Sequence, residues 1–102
     1  MVVVTEMLSA HPASDVAVAL LDVIADPVRW SVLARLSDTP RCECDLRAHI
    51  EIAPSLLSYH LRVLREARLV TATRRGRWID YTLAPDAHAR LAAALPTAAV
   101  AP

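Results

Sequence analysis

The sequence has no lysine, no asparagine and no glutamine, a single glycine, Gly76, and only two cysteines in 102 residues. It also lacks net charge, since 11 Arg offset 11 acidic side chains. No stretch approaches the roughly 18 to 20 apolar residues of a membrane-spanning helix, which excludes a helical span. The start, Met1-Val2-Val3-Val4, has neither the basic region nor the long apolar region of a signal peptide, so a cytoplasmic protein is expected. Cys42 and Cys44 stand too close together for an expected structural staple, which fits a reducing compartment and points to chemistry instead. What is abundant is apolar side chain, 55% of residues, which excludes wholesale disorder. A chain of this length forms one small domain with a modest core, and self-association is the expected remedy.

The charge is unevenly placed. Residues 1–61 carry four Arg against eight acids, net −4, and residues 62–102 carry seven Arg against three, net +4. A neutral chain can thus present a basic surface to a polyanion, although a solvated face gives the same count.

Residues 15–25 are apolar around most of a helical circumference, with Ser14 or Asp15 as the candidate N-cap of helix 1. Asp26-Pro27 supplies a cap and a first-turn proline, and Val28, Val32, Leu33 and Leu36 continue at helical spacing, giving helix 2 to about Ser37. Thr39-Pro40 interrupts the chain before a short helix 3 marked by Leu46 and Ile50, with the cysteines at its beginning. Ala53-Pro54 opens helix 4, whose Leu57, Leu61 and Leu64 form a core stripe opposite Ser55, Ser58, Tyr59 and Arg62. The period then changes to two in Val70–Thr73 and Trp78–Leu83, with Arg74, Arg75, Gly76 and Arg77 at the tip between them. Pro85 and Asp86 start a final Ala-rich helix to about Leu95. The expected division is an N-terminal arm over 1–14, one domain over 15–95 and a tail over 96–102.

This order describes a mainly α fold with a small β-hairpin: four helices, two strands, one helix. It is the layout of a winged helix-turn-helix, in which helix 3 braces helix 4 and helix 4 offers short polar side chains to a DNA major groove. The Arg-tipped hairpin becomes the wing, able to follow phosphates or enter a minor groove. The candidate DNA-contacting residues are Ser55, Ser58, Tyr59, His60, Arg62, Arg74, Arg75 and Arg77. Without Asn or Gln, the usual bidentate reading of adenine is closed to this chain.

Four segments, Asp26–Arg29, Arg41–Leu46, Ser58–Val70 and Arg75–Tyr81, resemble the ArsR/SmtB family of metal-responsive repressors, in register over about residues 15–95. The resemblance implies a homodimer paired through helices 1 and 5 that binds a palindromic operator and leaves it when a metal or metalloid arrives. The positions matching the family's polar start of the recognition helix are here Ala53, Pro54 and Leu56, which shifts sequence reading onto the residues named above.

The match to the family's Cys-x-Cys-Asp-Leu motif implies Cys42 and Cys44 as ligands for arsenite or antimonite, with cadmium or lead as nearby options. Thiolates select soft ions over magnesium or calcium. On a regular helix, residues two apart point about 200° away from each other, so joint capture is expected to require distortion of helix 3. Three-coordinate As(III) wants a third donor; His11 or Glu6 of a partner's arm, water or a cellular thiol are the candidates. Asp86 and His88 resemble half of a zinc site on the last helix of some relatives, but no His or Glu follows His88 to complete four ligands. His60 is read as a DNA or packing residue, and His49 has no motif support. A thiol-oxidation switch at the same cysteines is the rival trigger. Catalysis is not expected, because no paired base, phosphate-cradling loop or recognisable carboxylate pair accompanies Cys42.

Overall fold

A computed structural model describes residues 12–96. Among them are five helices and three strands: α1 (Pro12–Ile24), α2 (Pro27–Arg35), β1 (Arg41–Cys42), α3 (Glu43–His49), α4 (Pro54–Glu66), β2 (Val70–Arg75), β3 (Trp78–Leu83) and α5 (Ala87–Ala94). The winged helix-turn-helix expected from the sequence is the observed fold.

Two features differ from expectation. α1 starts at Pro12, so Ser14 and Asp15 lie inside its first turn rather than capping it. Proline is well placed at a first helical position, where its missing N–H costs nothing. The expected boundary at residue 15 therefore falls inside a helix. The hairpin, in turn, is part of a three-stranded antiparallel sheet of order β1-β3-β2. Arg41 pairs with Tyr81 and Cys42 with Asp80, so the residues just before α3 are stitched to the wing.

α2 begins as the sequence suggests, with the Asp26 carboxylate accepting from the N–H groups of Val28 at 2.8 Å and Arg29 at 3.0 Å, and Pro27 in the first turn. Val32 of α2 and its C-cap Leu36, Leu46 of α3 and Leu57, Leu61 and Leu64 of α4 meet in one core with Leu69, Val70 and Tyr81. α1 packs against α5 at the edge of this core and also touches α2.

α4 ends with the Arg68 N–H donating to the Arg65 carbonyl and the Leu69 N–H to the Leu64 carbonyl. This termination needs a left-handed residue, and Arg68 supplies it at φ 60° where glycine is usual. The Arg90 guanidinium of α5 donates to the Arg68 carbonyl at 2.7 Å and the Ala67 carbonyl at 2.9 Å, satisfying groups at the end of α4. In the wing, Arg75 pairs with Trp78, leaving Gly76-Arg77 as a two-residue turn. Gly76 sits at φ +63°, a conformation that costs a side-chain-bearing residue but not glycine.

Candidate metal centre and nucleic-acid interface

Cys42 is the N-cap of α3, with extended backbone at φ −74° and ψ 160°, and its Sγ accepts from the Asp45 N–H at 3.2 Å. Cys44 lies in the first turn of α3, exposed, while Cys42 is half-buried. The Cα atoms are 5.3 Å apart and the structure joins the two as a disulfide. This corrects two expectations. Cys42 is outside the helix, so the 200° separation of a regular helix does not apply and the pair converges without unwinding α3. The sequence neighbours also make a cross-link after all, because the extended N-cap residue turns its sulfur back toward the first helical turn.

In this oxidised form neither sulfur is a thiolate, so ligation of a soft ion requires the pair to be reduced. Reduced, it is a two-sulfur donor set that fits a thiophilic ion. Among the described residues no group of three or more His, Cys, Asp or Glu side chains could hold a metal. The third donor expected from the sequence is therefore not found among the described residues. Glu6 and His11, the sequence candidates for it, lie outside the described residues.

Asp45, one residue beyond Cys44, is the hub that ties this corner to the rest. Its carboxylate takes a bidentate pair from Arg35 of α2, with Nε to Oδ2 at 3.0 Å and Nη2 to Oδ1 at 3.2 Å. Arg41 of β1 approaches at 3.9 Å, and Arg41 Nε also donates to the Arg35 carbonyl at 3.2 Å. The Arg35 hydrogen bonds hold the Asp45 carboxyl below the usual carboxylate range. Thus one residue gives its N–H to the Cys42 sulfur and its carboxylate to α2.

The outer face of α4 presents Ser55, Ser58, Tyr59 and Arg62, all exposed as expected. The Arg62 guanidinium lies over the Tyr59 ring, 5.6 Å from its centroid, which steadies both side chains. His60 is a correction. It is 6% exposed and packs inward, its Nδ1 3.0 Å from Arg29 Nη1, so it cannot reach a groove. A guanidinium can only donate, hence Nδ1 accepts, and Arg29 Nε also donates to the Val23 carbonyl. His60 follows Leu57 by three and precedes Leu64 by four, on the buried side of α4; that spacing was the available signal. Arg29 and Asp26, which fix the ring from the N-terminus of α2, were missed.

In the wing, Arg74, Arg75 and Arg77 are exposed. Arg75 is held along the sheet by Asp80, with Nε to Oδ2 at 2.7 Å and Nη2 to Oδ1 at 3.2 Å, whereas Arg74 and Arg77 have no such partner among the described residues. Asp80 is also the residue paired with Cys42 across β1 and β3. Asp86 serves as N-cap position of α5 and His88 is exposed on it, in keeping with a plain helix start. No helix among the described residues is long and apolar enough to cross a membrane.

Residues 26–72, from the α2 cap through α4 into β2, match the family described as bacterial regulatory protein, arsR family. The chain is 37% identical over 82 residues to the HTH-type transcriptional regulator CmtR of Mycobacterium bovis, covering 80% of this chain and 69% of that protein. The chain belongs to the ArsR family. It is also 37% identical over 81 residues to the transcriptional repressor SmtB homolog of Synechocystis sp., covering 79% of this chain but only 61% of that relative's length. A crystal structure of a possible transcriptional regulator for arsenical resistance superposes with a TM-score of 0.68 at 39% identity, covering 72% of this chain and 77% of the other. ArsR-family proteins are DNA-binding transcriptional regulators.

Proposed function

We propose that this ArsR-family chain is a cytoplasmic transcriptional repressor that binds double-stranded operator DNA as a homodimer. Reduced Cys42 and Cys44 then capture a soft metal or metalloid, and the dimer leaves the operator. Arsenite or antimonite is the first candidate inducer, with cadmium or lead as the alternative. The observation that carries the reading is the position of Cys42: it caps α3, pairs with Asp80 of the wing and holds the N–H of Asp45, whose carboxylate grips α2. A ligand drawn between the two sulfurs therefore bears at once on the helix that braces α4 and on the strand that carries the wing.

DNA contact is assigned to Ser55, Ser58, Tyr59 and Arg62 of α4 and to Arg74 and Arg77 of the wing, with Arg75 contributing only as far as Asp80 releases it. His60 acts from inside, setting α4 against Arg29. Dimerisation through α1 and α5 is supported by their mutual packing and by exposed Val16, Val18 and Leu95 on and beside these helices.

The test is fluorescence anisotropy of the full chain on its own upstream DNA, under reducing conditions, with arsenite and separately with cadmium. Site-to-site couplings of about 1 to 3 kcal/mol correspond to a 5- to 150-fold loss of affinity. Cys42→Ser and Cys44→Ser are expected to bind DNA but ignore the ion; a mutant still released would place the inducer site elsewhere. A second reading, in which oxidation of the same pair is the trigger, is favoured by the disulfide itself. It predicts release by oxidant with no ion present.

A further inference from the structure

The two cysteines differ in what surrounds them. Cys44 is exposed and lines a cleft of about 320 Å³ together with Glu43, Arg47, Arg77, Trp78 and Ile79. Cys42 is half-buried, lines no part of that cleft, and its sulfur is held by the Asp45 N–H. The cleft joins α3 to the wing, and its charge is set by two guanidiniums against one carboxylate, since Arg47 binds Glu43 at 2.8 Å and Arg77 has no ion-pair partner among the described residues. The exposed Trp78 indole gives it one apolar wall. Its volume is at the small end for a ligand site and suits a metabolite of peptide size.

We propose that this cleft is a docking site for a small carboxylate-bearing thiol, which opens the Cys42–Cys44 disulfide by attack on Cys44. The incoming thiolate forms a bond to Cys44 Sγ, and the electron pair of the broken disulfide leaves on Cys42 Sγ. Exchange goes fastest at the accessible sulfur when the departing sulfur is stabilised as thiolate, and the Asp45 N–H is already aimed at Cys42. A second thiolate then attacks the sulfur of the bound thiol, releases Cys44 as thiolate and carries away the small disulfide. Two thiols are oxidised and one protein disulfide is reduced, so the balance closes. Arg77, with Arg47 as the Glu43 bridge loosens, attracts the carboxylates; Trp78 covers the aliphatic backbone of the ligand. The step goes beyond the repressor reading and does not depend on it, because it concerns how the oxidised pair becomes able to bind anything.

The experiment uses the full chain with its disulfide intact and no DNA or metal ion. Reduction is followed with reduced glutathione as the carboxylated thiol, 2-mercaptoethanol as the neutral one and cysteamine as the cationic one, each rate normalised to its thiolate concentration. Charge-lined clefts raise local concentrations of complementary ions by about tenfold or more. Glutathione is thus expected to react about tenfold faster per thiolate than cysteamine at low salt, with the ratio falling as salt rises. Arg77→Glu should reverse the order of these two thiols. Samples quenched in acid at early times, alkylated and mapped by mass spectrometry should carry the glutathione adduct on Cys44. An adduct on Cys42, normalised rates within threefold of one another, or an order that survives Arg77→Glu would each overturn the proposal. None of these results bears on operator binding or on release by arsenite, which the anisotropy titration reads separately.

Discussion

α4 is thirteen residues long and buries Leu57, His60, Leu61 and Leu64 along one face, whereas α3 has seven residues and buries Leu46 alone. What α3 lacks in apolar contact it makes up with directional bonds: the Cys42 cap, the two-residue β1 pairing and the bidentate Arg35–Asp45 bridge. A helix held by packing moves only as a rigid piece, because close-packed side chains tolerate little displacement. A helix held by a few hydrogen bonds and ion pairs can be re-aimed by chemistry at one of them. The contrast suits the proposed function, which puts the ligand-responsive pair at the start of α3 and the DNA-reading face on α4.

The largest effect should come from attacking the packed helix. Leu61 is 1% exposed at the centre of the core, and Leu61→Ala is expected to destabilise the protein by about 2 to 5 kcal/mol. Small domains hold only about 5 to 15 kcal/mol in total, so urea unfolding should show a sharply lowered midpoint. A shift of only a few tenths of a kcal/mol would mean that α4 is not held by its apolar face. Arg35→Ala tests the other helix. Native-state hydrogen exchange should quicken several-fold at the end of α3, as at its C-cap Ile50, whose N–H bonds to the Leu46 carbonyl, while α4 amides stay protected. Equal loss of protection in both helices would dissolve the distinction.

The packed helix was also the more legible one. The leucines at 57, 61 and 64 repeat with the helical period, and burial of a long stripe is written in that repeat. β1 was not legible: Arg41-Cys42 is too short to alternate, and its pairing is dictated by the neighbouring β3 rather than by anything in its own residues. The same gap misled the reading of the cysteines, since their relative direction turns on whether α3 begins before or after Cys42. The single-residue difference converts opposed side chains into a closed pair. His60 was hidden for a different reason. Its position belonged to the buried side, but its polar identity suggested the surface, and its partners Arg29 and Asp26 lie about thirty residues away in sequence.

At its far end α4 depends on a local compromise. Arg68 adopts φ 60°, where the crowding of Cβ against a backbone carbonyl oxygen costs about 1 to 2 kcal/mol, and glycine would relieve it at an entropic cost of about 0.5 to 1 kcal/mol. Arg68→Gly should therefore stabilise the fold by up to about 1 kcal/mol, read as a small rise in the melting temperature, with the Arg90 clamp retained because it uses the Arg68 carbonyl. A loss of stability would show that the exposed Arg68 side chain contributes more than its backbone strain costs.

The smallest effect concerns the directional bonds of α3 and is read from the slope of stability against pH in acid. The Arg35 hydrogen bonds lower the Asp45 carboxyl below its ordinary value, and Arg75 does the same for Asp80. A carboxyl with a lower pKa folded than unfolded binds fewer protons in the folded state, so its contribution is complete above the unfolded value near 3.8 and fades as pH falls through the folded one. The wild-type melting temperature should decline between about pH 4.5 and 2, and Asp45→Asn, lower at neutral pH, should decline less steeply over the same window. Parallel curves would mean that Asp45 grips Arg35 no more tightly than an unfolded chain does. In that case α3 would be positioned by Leu46, the Cys42 cap and β1 alone, and the cysteine pair would act on the wing without drawing on α2.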